Sequence, residues 1–205
     1  MADQRQRHQE HIILIFLLLA AFLPAACAEK RPITKVTVAP TSEYSVCHLA
    51  LFPMVTEDQN IKTAMLATRI FLSELVREGI FHLEPEGNVR SFLRRNRVLP
   101  GKIIDSSLYT ICAGQLGVDA IIIGRITESG MAVGPKKIRN PYLSLQIELV
   151  DVRTKKRLVT TFLRREGMDY RRTLHFGIVE TMSGLLSLMS QEIIADWREK
   201  GWGGC

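Results

Sequence analysis

Between residues 59 and 78, apolar side chains recur at helical spacing through Ile61, Ala64, Met65, Thr68, Phe71, Leu72, Leu75 and Val76. The run stops at Gly79, where a left-handed cap belongs, so this segment is predicted to be an amphipathic helix. It is preceded by Val46 to Met54, whose Cys47, Leu49 and Leu51 predict a buried strand ended by Pro53. Ile80 to Glu84 follows as a short strand closed by Pro85 and Gly87, and Asn88 is placed to cap a short helix with Phe92 and Leu93 inward. Pro100 and Gly101 end that helix. Asp105 or Ser106 caps the next one, through Leu108, Ile111, Cys112 and Leu116, and Gly117 stops it. Val118 to Thr127 is an almost unbroken apolar run, as expected of a central strand buried on both faces.

Glu128 to Pro141 reads as a loop because it holds Gly130, Gly134, Pro135 and Pro141. Tyr142 to Val152 then alternates, with Leu143, Leu145, Ile147 and Leu149 on one face and Ser144, Gln146 and Glu148 on the other. Arg157 to Arg164 returns antiparallel across the turn at residues 153 to 156. A last helix is expected from about Thr173 to Lys200, with Ile178, Val179, Met182, Leu185, Leu186, Met189, Ile193 and Trp197 on one stripe. This order predicts an α/β (α+β) domain: a mixed β-sheet covered by helices, with a long C-terminal helix.

Ahead of the domain, Ile12 to Leu23 is apolar throughout and ends in small residues before Cys27. At about 12 residues it is shorter than the ~20 a spanning helix needs, and it has the form of a cleaved export signal. Leu23, Ala25, Ala26 and Cys27 match a lipidation site, departing from it at Pro24, and Ala26, Cys27 and Ala28 also spell an A-x-A cleavage site. The expectation is a signal peptide over 1–26, lipid on Cys27, a tether over 27–45, a periplasmic domain over 46–200 and a flexible tail over 201–205. The location expected is the periplasmic face of the outer membrane, reached through the lipid anchor, with soluble periplasm as the alternative.

Composition narrows the function. With 46% hydrophobic and 23% charged residues the chain is an ordinary globular one. Its net charge of +6 would suggest nucleic acid in the cytoplasm, but export replaces that partner with anionic lipid or an acidic protein. Besides Cys27, the chain holds Cys47, Cys112 and Cys205, an odd number for an oxidising compartment. Cys47 and Cys112 are one possible disulfide; two buried unpaired thiols are the other reading. No C-x-x-C spacing is present, and neither metal nor cofactor is expected.

No catalytic constellation stands out. His48, His82 and His175 are far apart and lack ligand-spaced neighbours, Ser106 and Ser107 lack a nucleophile elbow, and Glu148 and Asp151 are at odd spacing along a strand. The chain is expected not to be an enzyme. Two features suggest contacts instead. Arg90, Arg94, Arg95, Arg97 and Lys102 cluster on one short stretch, and a second group runs from Arg153 through Lys155, Lys156, Arg157, Arg164, Arg165, Arg171 and Arg172. Trp197 and Trp202 come late, where a tail does not need two large rings, and are candidates for a subunit or partner interface.

Four passages in order resemble the curli-secretion-channel (CsgG-like) lipoproteins and relatives built on the amino-terminal domain type of TolB. They are His48 to Met54, Leu75 to Phe81, Gln115 to Gly124, and Leu145 to Val152 with its turn. The resemblance implies an exported lipoprotein with an anticodon-binding-domain-like fold that serves as a scaffold in a secretion or cell-envelope assembly, alone or as a homo-oligomer. One departure matters: channel-forming members carry a long barrel-forming insertion, whereas the gap from Ile126 to Tyr142 is short and basic through Lys136, Lys137 and Arg139. A scaffold is therefore expected, with a CsgG-like channel and a regulator of a cell-wall synthase as alternatives.

Overall fold

A computed structural model describes residues 46–58, 60–133, 139–171 and 177–203, together with the backbone of 34–38. The signal segment, Cys27, His175, Arg172 and Cys205 lie outside the described residues. The elements are β1 (Thr34–Val38), β2 (His48–Leu51), β3 (Val55–Thr56), α1 (Ile61–Glu78), β4 (His82–Leu83), α2 (Glu86–Arg95), α3 (Tyr109–Leu116), β5 (Ala120–Val133), β6 (Arg139–Asp151), β7 (Arg157–Glu166) and α4 (Met182–Glu199). The strands form one mixed sheet in the order β1-β7-β6-β5-β2-β4, with β3 pairing β5 beyond the end of β2. β2 is parallel to β4 and β5, while β5, β6, β7 and β1 run antiparallel in turn.

Side-chain alternation sorts the core into two layers. Leu49, Leu51, Ala120, Ile122, Leu145, Ile147 and Leu149 face α1 and α4, and there they meet Phe71, Leu75, Leu186, Met189 and Trp197. Ala50, Phe52, Ile121, Val150 and Val152 face the other way onto α2 and α3, against Val89, Phe92, Ile104 and Cys112. β5 is thus buried on both faces at Ala120, Ile121 and Ile122, as its apolar run predicts. On the α2/α3 side the cover stops short of the antiparallel strands, so Gln146, Glu148 and Phe162 stay partly or largely in solvent.

Local signals held where they were strongest. Gly79 closes α1 at φ 62° with its N–H bonded to the Leu75 carbonyl, while Asn60, which the sequence reading did not single out, caps the start by accepting from the Thr63 N–H. Gly117 closes α3 in the same way, and Asp105 accepts from Ser107 N–H to start the 3₁₀ turn leading into it.

Four expectations are corrected. Thr34–Val38, placed in the tether, is the edge strand β1 paired with β7. Glu128 to Pro141 is not a loop, because β5 continues to Val133 and β6 begins at Arg139. Gly130 does not break the strand, because Tyr142, opposite it in register, lays its ring over the space a Cβ would need. Helix α2 starts at Glu86, so Asn88 lies inside it and bonds the Glu84 carboxylate instead of capping. Helix α4 begins only at Met182, with Thr181 as its cap. Ile178 and Val179 precede it, where the Val179 N–H donates to the Gly167 carbonyl and Gly167 has no room for a Cβ.

The cysteine pair is also corrected. Cys112 is a free, fully buried thiol within the α2/α3 layer, whereas Cys47 is disulfide-bonded at the start of β2. Burial pushes the Cys112 thiol up to about 12.

Candidate functional site

β2 ends where the chain switches faces. From β2 it passes to α1 on one side of the sheet, and from β4 it returns to β5 through α2 and α3 on the other. The carboxyl end of a parallel strand at such a switch is where open α/β sheets leave a crevice. Here the crevice is a cleft of about 980 Å³. Its floor is Phe52, Met54 and Ile104, one wall is the start of α1, and the other is the end of α2 with residues 98–103. Thr68 fixes the floor against α1: its hydroxyl accepts from the Met54 N–H at 2.9 Å and donates to the Ala64 carbonyl at 2.8 Å.

Apolar side chains that a core would normally cover stand open on the walls. Ile61 is 55% exposed and Leu99 67%, with Met65 and Ile103 also in solvent. Five cations line the same cleft, Arg69, Arg90, Arg94, Arg97 and Lys102, against two carboxylates, Glu57 and Glu86. Both carboxylates are engaged, Glu86 by Arg90 Nε at 3.0 Å and Glu57 by Arg125 at 3.7 Å. Among the described residues Arg69, Arg94, Arg97 and Lys102 have no ion-pair partner.

Arg97 adds a backbone feature. It adopts φ 55°, held by its N–H on the Arg94 carbonyl and by the Val98 N–H on the Leu93 carbonyl. A left-handed conformation costs a non-glycine residue roughly 1–2 kcal/mol, so a cation occupies a rim position where glycine would be the unstrained residue.

Of the expected interaction residues, the fold brings Arg90, Arg94 and Arg97 to this cleft and leaves Arg95 exposed outside its lining. The second basic group disperses. Arg153 pairs with Asp119, Arg157 with Glu148, Arg164 with Glu128 and Arg165 with Glu192. Glu192 also accepts from the Tyr170 hydroxyl at 2.5 Å, and burial together with that bond raises the tyrosine's pKa. These are structural ties: Arg165 and Tyr170 pin α4 to the end of β7.

Trp197 is not at a surface. It is fully buried, its ring meets Phe71 edge-on at 6.2 Å, and its indole N–H donates to Thr161 Oγ1 at 3.0 Å. The sheet supplies the partner that allows an indole to sit in the core. Trp202 is partly buried against the same layer, brought there by its N–H on the Trp197 carbonyl.

His48 is held by Glu84 at 3.1 Å and by the Gly117 carbonyl at 3.1 Å, and no metal-ligand cluster occurs among the described residues. Sequence reasoning missed Asp119. Its carboxylate accepts from the Cys47 and His48 N–H groups at 3.2 and 3.0 Å and so ties the start of β2 to β5. The signal was an acidic residue directly before an apolar strand.

No protein-family model matches the sequence, and no curated protein matches it significantly. Solved structures do. The PelC dodecamer from Paraburkholderia phytofirmans is similar at 12% identity and a TM-score of 0.53, over 80% of this chain and 94% of that one. Lipoprotein GNA1162 from Neisseria meningitidis is similar at 19% identity and a TM-score of 0.50, over 75% of this chain and 99% of that one. The α+β domain, a mixed sheet under helices with a long helix at its C-terminal end, is thus a fold this chain shares with both bacterial proteins.

Proposed function

We propose that the protein is an exported lipoprotein, anchored to the outer membrane through Cys27. Its non-enzymatic α/β domain acts as a scaffold in a secretion or cell-envelope assembly. The observation that carries this reading is the joining of two features in one chain. An apolar run of export-signal length, Ile12 to Leu23, is followed after three residues by Cys27, and the domain behind it has the fold of one protein described as a lipoprotein and another described as a dodecamer. The mechanism is positional: lipid fixes one end, and exposed surface recruits a partner or further copies.

The test is to express the full chain beside Cys27→Ser in a Gram-negative host and fractionate the envelope. Detergent-solubilised protein is then sized by light scattering on a gel-filtration column. The expected result is wild type in the outer membrane and Cys27→Ser in the soluble periplasm. Equal partitioning of the two forms, or retention of the wild type in the cytoplasm, would reject the anchor.

A CsgG-like ring channel is the second reading, and one observation favours it: β5 and β6 run for 14 and 13 residues, long enough for the ~9–11 residues of a barrel strand. Against it, Leu143, Leu145 and Ile147 of β6 are spent on the domain's own core. Large rings from the outer membrane would favour the channel. A monomer that binds a cell-wall synthase would favour the third reading, a regulator of that enzyme.

A further inference from the structure

The cleft at the end of β2 has the chemistry of a ligand site and not only of a charged surface. Its floor, Phe52, Met54 and Ile104, is apolar and buried, and its upper walls at Ile61, Met65 and Leu99 are apolar and open to solvent. Its cationic side is concentrated at the α2 end, where Arg94, Arg97 and Lys102 have no ion pair among the described residues. A volume of about 980 Å³ falls at the upper end of the ~300–1,000 Å³ typical of small-ligand pockets.

We propose that this cleft binds an anionic single-chain amphiphile, its acyl or alkyl chain lying between the open walls at Ile61, Met65 and Leu99, above the closed floor of Phe52, Met54 and Ile104, and its phosphate or carboxylate head between Arg94, Arg97 and Lys102. Charge complementarity chooses the sign of the head, because both carboxylates in the lining are already engaged by arginines. The exposed apolar walls at Ile61, Met65 and Leu99 choose a chain over a free anion. Exposed guanidiniums hold inorganic phosphate weakly in salt, whereas each methylene buried between the walls raises affinity by up to about fourfold. Concavity argues against a bilayer surface, which needs a protruding basic face. The site is independent of the anchor and scaffold reading and survives that reading's failure.

The test uses the full chain, in phosphatidylcholine nanodiscs if it fractionates with the membrane and in buffer if it does not, with its methionine methyl groups labelled with carbon-13. Met54 and Met65 lie in the cleft and Met189 on the core face of α4, so the NMR response locates binding. The probes are octyl phosphate and octyl glucoside, each below its micellar concentration, butyl phosphate, inorganic phosphate and an acidic peptide.

Octyl phosphate is expected to shift Met54 and Met65 saturably and to leave Met189 in place. Its affinity should exceed that of butyl phosphate and of octyl glucoside by at least tenfold. The double variant Arg94→Gln/Arg97→Gly should weaken octyl phosphate at least tenfold without lowering the melting temperature, because glycine relieves the positive φ at position 97. Octyl phosphate should bind the variant no better than octyl glucoside does. Equal response to octyl glucoside would reduce the site to an apolar patch, and equal response to inorganic phosphate would reduce it to an anion site. A Met54 and Met65 response to an acidic peptide but not to octyl phosphate would make it a protein-docking face. Each of these three results, or silence at both methionines, overturns the proposal.

Discussion

Replacing Trp197 with phenylalanine tests whether this ring belongs to the core, as its geometry has it, or to an interface, as its position near the end of the chain suggests. The substitution removes the indole N–H that bonds Thr161 Oγ1 at 3.0 Å, and Thr161 is itself 1% exposed. A buried hydroxyl left without its donor costs about 1–3 kcal/mol. The smaller ring also leaves part of the indole volume empty beside Phe71, which adds about 1 kcal/mol if the site cannot collapse. The sum, about 2–4 kcal/mol, is a large share of the ~5–15 kcal/mol that holds a domain together. At ~2–4 °C per kcal/mol for a chain of this size, the melting temperature should fall by on the order of 10 °C.

Urea unfolding followed by far-UV circular dichroism reads the free energy, and light scattering on the same sample reads the mass. Adding Thr161→Val should recover roughly half of the loss, because the orphaned hydroxyl is then gone; the double-mutant cycle isolates that term. A Trp197→Phe protein within 0.5 kcal/mol of the wild type but of altered mass would refute the core assignment and return Trp197 to an interface.

Three further outcomes rest on the described geometry. Cys112 should resist a thiol reagent at pH 8 in the folded protein and react at once in denaturant. Because its pKa is raised from 9.0 to about 12 on folding, the folded state holds a proton that the unfolded state releases. Stability should therefore fall as pH rises from about 9 towards 12, and Cys112→Ala should flatten that limb of the curve measured by urea midpoints. Gly79→Ala places a Cβ at φ 62° and should cost about 1 kcal/mol in a denaturation midpoint without altering oligomeric mass; a neutral result would mean the end of α1 unwinds freely.

Local rules carried much of this fold because the decisive interactions are local. Glycine at the helix ends, the Asp105 cap, the two-residue alternation of β6 and the apolar run of β5 each act within a few residues, and each was legible in the sequence. The apolar run from Ile12 to Leu23 ahead of Cys27 and the clustering of arginines at residues 90 to 97 were legible for the same reason. What sequence could not provide were outcomes that depend on distant partners. Thr34–Val38 became a strand because β7 offered an open edge. Gly130 stayed in β5 because Tyr142 covers it, and Trp197 went inside because Thr161, 36 residues away, accepts its N–H. The two basic groups looked equivalent along the chain. Tertiary structure separated them by placing carboxylates beside Arg153, Arg157, Arg164 and Arg165, while turning Arg94, Arg97 and Lys102 onto an apolar cleft where none is free to pair with them.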